Sequence, residues 1–290
     1  MDTQPVVVGV DGSPPSIIAA EHAAAAARVR GAPLLLVHGY LHPRGYGSAP
    51  LAPYQMMPPE PPADGEAMLD ELAATLRTAG PDLQVHHKQV LGGGAAALVA
   101  ESEQASLLVV GSRGHGGFTG MLLGSVSSHV VAHAHCPVLV VRPPVPPHPG
   151  DDTPVVVGVD GSPNSVRAVE VAADEAYRRG RPLLLVHAGV GAEPAEVSRA
   201  QALLDEAERA AVAARPDLTV VSHVQHGADA ATGLVDASKD AAVVVVGSRG
   251  RGGFAGLLLG SISQALVHHA HCPVLVVPLH GSGSAGPTGR

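Results

Sequence analysis

Two aspartates and two glycine-rich stretches carry the chemistry open to this chain. Asp11 lies in VVVGVDGSP at residues 6–14, and Asp160 lies in the same nine letters at 155–163. The glycine stretches read GSRGHGGFTGMLLGS at 111–125 and GSRGRGGFAGLLLGS at 247–261. Each contains Gly, two residues, Gly, nine residues, then Gly-Ser: Gly111, Gly114, Gly124 and Ser125, matched by Gly247, Gly250, Gly260 and Ser261. Glycine lets a backbone approach a ligand closely and turn through positive φ. Between a strand and a helix, such a loop offers backbone N–H groups and the positive end of a helix dipole to an anion. The chemistry indicated is therefore a phosphate cradle. A glycine loop without a ligand is the plainer alternative, but its ordering entropy would be spent twice.

The spacing separates this loop from other nucleotide motifs. A Walker A loop ends in Lys followed by Ser or Thr, whereas here Gly124-Ser125 and Gly260-Ser261 stand at that point. Rapid phosphoryl transfer lacks its main cation. A dinucleotide fingerprint belongs at the first strand-to-helix turn, and that turn reads GVDGSP in both copies, which disfavours NAD chemistry. Ser125 and Ser261 fit either a helix cap or a phosphate ligand, and Arg113 and Arg249 either a phosphate clamp or solvated cations. The repeated His-x-His-Cys clusters, His133, His135 and Cys136 with His269, His271 and Cys272, do not converge easily on one metal ion. His38 and His187 read as satisfied sheet-edge residues, not bases. No metal site and no catalytic set follow.

The elements that must position these groups repeat as well. Val6–Val10 and Val155–Val159 are continuous apolar runs, the mark of strands buried on both faces. Ser13-Pro14 and Ser162-Pro163 place an N-cap and an N1 proline, and Gly31 and Gly180 supply the helix stops. Strands at 34–38 and 183–187, helices near 66–79 and 196–214, strands near 83–90 and 218–224, and helices near 95–104 and 230–239 follow. Strands at 107–110 and 243–246 then feed the glycine loops, and strands at 138–141 and 274–277 close each copy. This alternation predicts an α/β fold with a doubly wound parallel sheet in each repeat. Ligands of such sheets bind beyond the carboxyl ends of the strands, so Asp11 and the first loop, and Asp160 and the second, could face one crevice each.

The copies are offset by 149 residues at the first strand and 136 at the glycine loop, so the first carries 13 extra residues, in the Pro-rich stretch 41–65. The expected organisation is a first domain at 1–142, a Pro-rich linker at 143–154, a second domain at 155–279 and a flexible tail at 280–290. A net charge of −8 without a basic cluster argues against nucleic acid as a partner. Two isolated cysteines, no secretory signal and no apolar run of spanning length give the expectation of a soluble cytoplasmic protein without membrane association. The apolar closing strands are candidates for pairing between repeats or between chains, hence an expected homodimer.

On VVVGVDGSP, the spaced glycine motif and the closing HCPVLVV, all present twice, the chain resembles the universal stress protein family, specifically its tandem, ATP-binding class. The resemblance implies two flavodoxin-like sheets of strand order 3-2-1-4-5, with ATP in a crevice between the first and fourth strands of each. It implies that Asp11 and Asp160 lie near the ribose. The backbone just after the second strand, near Gly39 and Ala188, meets the adenine. Gly111, Gly114, Gly124 and Ser125, and Gly247, Gly250, Gly260 and Ser261, hold the phosphates, commonly with Mg²⁺. Ser106 and Ala242 depart from the Asp that many members carry there. The function implied is a nucleotide-dependent stress or dormancy regulator with one ATP per repeat. A slow ATPase or self-phosphorylating protein, and a nucleotide-free interaction scaffold, are the alternatives.

Overall fold

The computed structural model describes residues 4–40, 62–114, 123–142, 152–227, 229–250 and 259–279. Most of the Pro-rich stretch, most of the expected linker, the tail and the middles of both glycine loops lie outside the described residues. The first repeat runs β1 (Val6–Gly9), α1 (Pro14–Arg30), β2 (Leu34–Tyr40), α2 (Ala63–Ala79), β3 (Val85–Leu91), α3 (Gly94–Glu101), β4 (Leu107–Gly111), α4 (Ser125–His133) and β5 (Val138–Val141). The second runs β6 (Val155–Gly158), α5 (Pro163–Arg179), β7 (Leu183–Val190), α6 (Pro194–Ala214), β8 (Val220–His226), α7 (Ala230–Ala237), β9 (Val243–Gly247), α8 (Ser261–His269) and β10 (Val274–Val277).

Local chemistry explains the ends of the long helices. Ser13 caps α1 by accepting from Ser16 N, Pro14 fills its first turn, and Gly31 closes it at φ 60°. Ser162, Pro163 and Gly180 do the same for α5. The left-handed conformation at Gly31 admits glycine with no steric penalty, which is why the stop was readable from sequence.

Each repeat has the order 3-2-1-4-5, but the two sheets are not separate. They form one ten-stranded sheet, β3-β2-β1-β4-β5-β10-β9-β6-β7-β8. Pairing within each repeat is parallel; β5 and β10 meet antiparallel, with Val140 opposite Val274 and Leu139 opposite Leu275. The expectation of two sheets is corrected in this respect. The closing strands satisfy each other's ladder groups inside the chain, so a homodimer has to use another surface. The outer strands β3 and β8 carry His, Lys and Gln, side chains that discourage further pairing.

The sheet separates two apolar layers. Val6, Val8, Leu107 and Val109 face the layer containing α1, α2, α5 and α6. Val7, Leu108 and Val110 face the layer of α3, α4, α7 and α8. Each layer runs through both repeats without a break, as the alternation of side chains along buried strands requires.

A buried ion cluster also joins the repeats. Glu175 on α5 accepts from Arg179 Nε at 2.5 Å, one turn away, and from Arg30 of α1. Its side chain is 3% exposed and that of Arg30 is 9% exposed, so this is an interior pair. Arg30 and Arg179 are equivalent positions in the two repeats, but Glu175 is matched by Ala26. One carboxylate therefore serves two related arginines.

Candidate functional site

The aspartates and glycine loops meet as the motif spacing indicated. Asp11 leaves the carboxyl end of β1, and its Oδ1 accepts from Ser13 N at 3.0 Å and Ser13 Oγ at 2.6 Å. Asp160 Oδ1 accepts from Ser162 N at 2.9 Å and Ser162 Oγ at 2.6 Å. The turn role is real and occupies one oxygen. The other, Oδ2, faces the loop: a Cβ added at Gly114 would overlap Asp11 Oδ2, and one at Gly250 would overlap Asp160 Oδ2. These glycines are needed because the carboxylate leaves no room for a side chain.

The remaining glycines have different reasons. A Cβ at Gly111 would lie 2.8 Å from the Pro15 carbonyl oxygen, and one at Gly247 would lie 2.8 Å from Asn164 Cγ, so β4 and β9 end hard against α1 and α5. Gly124 and Gly260 meet only ordinary neighbours at 3.6 and 3.4 Å. Their part is played by the backbone: Gly124 N donates to Ser112 O at 2.8 Å, and Gly260 N to Ser248 O at 2.8 Å. Each loop thus leaves at a serine and returns to the carbonyl of that same serine.

Gly124 and Gly260 are also the N-caps of α4 and α8, and neither helix start has a side-chain cap. Ser125 and Ser261 occupy the first helical position and are exposed; they do not cap, which corrects that alternative. The serines tying the helices to the sheet are two residues further on. Ser127 Oγ donates to Gly111 O at 2.6 Å, and Ser263 Oγ to Gly247 O at 2.7 Å. Sequence reasoning missed this pair, although the repetition of Ser at both places was a signal.

In the second repeat these elements enclose a cavity of about 440 Å³. Asp160, Ala188, Gly247, Gly250, Gly260 and Ser261 all line it. Val186, Leu234 and Ile262 supply an apolar wall that the motif spacing could not reveal. Arg249 lines it too and is exposed, as Arg113 is in the first loop. Ala188 and Gly39 lie within β7 and β2, not after them, because both strands extend past the predicted ends. Gly39 is held close to α3, where a Cβ would meet Gly94 Cα at 2.5 Å. Ala188 precedes a bulge in which Gly189 takes φ 81°.

His38 and His187 are in internal strands, not at sheet edges. Their Nδ1 atoms lie 2.7 and 2.5 Å from the carbonyl oxygens of Val10 and Val159. That geometry makes Nδ1 the donor in each case and fixes the tautomer. His187 also lines the cavity. Ser106 Oγ donates to Gln4 O at 3.1 Å, a role in joining strand starts, far along β4 from the crevice. Cys136 and Cys272 are buried, and burial pushes both thiols up to about 12. The neighbouring backbone is anchored instead by serine: His135 N donates to Ser102 Oγ and His271 N to Ser238 Oγ, both at 2.9 Å. Among the described residues no group of three or more His, Cys, Asp or Glu could hold a metal ion.

The two sites are not copies in one respect. Asn164, buried at the start of α5, donates from Nδ2 to Ser248 Oγ at 3.2 Å and to Arg249 O at 3.0 Å. Pro15 occupies the equivalent place in the first repeat and cannot make either bond.

Two doubly wound repeats joined in one sheet, each with an aspartate at the end of its first strand and a spaced glycine loop after its fourth, define a tandem α/β architecture. The chain belongs to the universal stress protein family, whose model matches residues 3–142 and 153–278. It is 37% identical to Universal stress protein Rv2623 of Mycobacterium tuberculosis (strain ATCC 25618 / H37Rv), over 93% of this chain and 95% of that protein. It is 40% identical to Universal stress protein Rv2005c of the same strain, over 93% of this chain and 96% of that protein. The crystal structure of a universal stress protein from Archaeoglobus fulgidus DSM 4304 superposes with TM-score 0.67 over 96% of this chain and 100% of that one, at 20% identity. This last likeness speaks to the fold.

Proposed function

We propose that each repeat binds one ATP in its crevice and that the protein acts as a nucleotide-dependent stress or dormancy regulator. The observation that carries this reading is the contact between aspartate and glycine. Gly114 and Gly250 lie against Asp11 and Asp160, while the adjoining helices α4 and α8 begin without a side-chain cap. An uncapped helix start leaves N–H groups for an anion and adds the dipole behind them. A locked carboxylate beside it suits the hydroxyls of a ribose. Asp11 and Asp160 would take the ribose, the main chain around Gly39 and Ala188 the base, and Gly111, Gly114, Gly124 and Ser125, with Gly247, Gly250, Gly260 and Ser261, the phosphates. Val186 and Leu234 offer the base an apolar wall. Any Mg²⁺ would be brought by the phosphates, since its own chemistry is to bridge their oxygens.

The crevice favours holding over turnover. Among the described residues Arg249 is the one Lys or Arg lining the second cavity, exposed and outside any ion pair. A fixed Lys against the phosphates, a usual means of driving phosphoryl transfer, is not among these lining residues. Regulation through bound nucleotide is the activity that such a site supports.

The test is calorimetric. Gly114→Ala and Gly250→Ala each force a methyl group into an aspartate and are expected to weaken one site by about tenfold or more. Two sites should become one in each single variant. Undiminished ATP binding by the double variant would overturn the reading. Mass spectrometry of gently purified protein should show adenine nucleotide carried with it.

A further inference from the structure

One group of charges is left unused by this reading. Arg142 follows β5 directly, and among the described residues it has no ion pair and no hydrogen bond, with Nη1 buried and unpartnered. Strand register places it beside the first glycine loop: Gly111 pairs with Val141, and Ser112 N donates to Val141 O at 2.8 Å. On its other side β5 runs against β10, with Val140 opposite Val274, so Arg142 stands level with Cys272, just past the end of α8.

Its titratable neighbours come from both repeats. Burial lowers the pKa of Arg142, and the Arg113 charge lowers it further. Burial also lowers His268 on α8, with further contributions from His269 and from Arg142. His268 Nδ1 is likewise buried without a partner. Buried donors that lack an acceptor destabilise a fold, and an anion placed among them removes that penalty. The equivalent positions in the second repeat are Pro278 for Arg142 and Ala132 for His268, so this arrangement exists at the first crevice alone.

We propose that Arg142, together with Arg113, binds the terminal phosphates of a nucleotide seated in the first crevice, at the seam with the second repeat. The proposal rests on the reading of that crevice as a nucleotide site. Asp11 leaves β1, the glycine loop leaves β4 and Arg142 leaves β5, and these strands are neighbours in that order. Three groups therefore stand in a row about 10 Å long, from the strand spacing. A single phosphate attached to a ribose at Asp11 ends over Gly111 and Gly114. The second and third phosphates carry on toward Arg142. The first repeat thereby distinguishes triphosphate from monophosphate, and it does so with residues that abut α8 of the second.

The experiment uses the full chain carrying Gly250→Ala, so that the first crevice is observed alone, and titrates ATP and AMP by calorimetry. Arg142→Gln is expected to weaken ATP about tenfold while moving AMP by less than about twofold, and Arg142→Lys to recover part of the loss. Equal ATP affinity with Gln and Arg at position 142 would overturn the proposal. So would an equal loss of both nucleotides, which marks a merely structural residue. If neither nucleotide binds with Arg142 intact, the nucleotide reading of the first crevice fails, and the proposal with it.

Discussion

Replacement of Glu175 by Ala tests how the two repeats are held in register. The carboxylate is 3% exposed and faces Arg30 and Arg179, whose side chains are 9% and 25% exposed. Arg179 has solvent within reach after the loss; Arg30 stays buried against α5. Breaking a buried pair by removing one partner costs about 3–5 kcal/mol, and the escape of Arg179 puts the expected value near ~3 kcal/mol. For a chain of this size that corresponds to a melting point lower by roughly 5 °C. Calorimetry and urea unfolding followed by circular dichroism measure both. The second arm is Glu175→Ala combined with Ala26→Glu. Position 26 is the equivalent of 175, four residues before Arg30, so a carboxylate there again lies between the two arginines. More than half of the lost stability should return. The pH dependence has a definite sign. Burial alone would raise the pKa of Glu175, but Arg179 and Arg30 outweigh it and hold the carboxyl below its ordinary range. Its contribution is therefore present above the ordinary glutamate range and disappears as pH falls below it, so the gap between wild type and variant should close in acid. A loss under about 1 kcal/mol at neutral pH, or a double variant no more stable than the single, would refute the reasoning.

Two further outcomes follow from single side chains. Asn164→Ala removes both bonds that tie α5 to the second glycine loop, and is expected to weaken ATP at the second site severalfold while sparing the first; site-resolved calorimetry in a Gly114→Ala background checks it. Cys136 and Cys272, buried with thiols near 12, should resist iodoacetamide in the native protein at pH 8 and react fully in denaturant, as read by intact mass.

What could be read from the sequence was what occurs twice. Asp11 and Asp160, the glycine spacing, the Ser-Pro helix starts and the buried strands repeat, and repetition separated them from chance. The order 3-2-1-4-5 came with the family resemblance. The joining of β5 to β10 was one of two alternatives, because an apolar edge strand does not say whose edge it will meet. The features that appear once were not legible. Glu175 opposite Ala26, Asn164 opposite Pro15 and Arg142 opposite Pro278 each break the repeat, and their partners lie far away in the chain. Ser127 and Ser263 do repeat, and the repetition marks them, but it does not say that the hydroxyl reaches a strand end 16 residues earlier. Ser125 and Ser261 stand at the first helical position, and the cap itself is the glycine before each.

The antiparallel seam between β5 and β10 makes the molecule two-ended. Carboxyl ends of the first repeat's strands point one way and those of the second the other, so the two crevices open at opposite rims of a single sheet. A ligand in one crevice and a ligand in the other would lie at opposite rims and could not touch. A partner that read one crevice would therefore approach from the side opposite to a partner that read the other, across a sheet whose halves share the β5–β10 ladder and the Glu175 cluster.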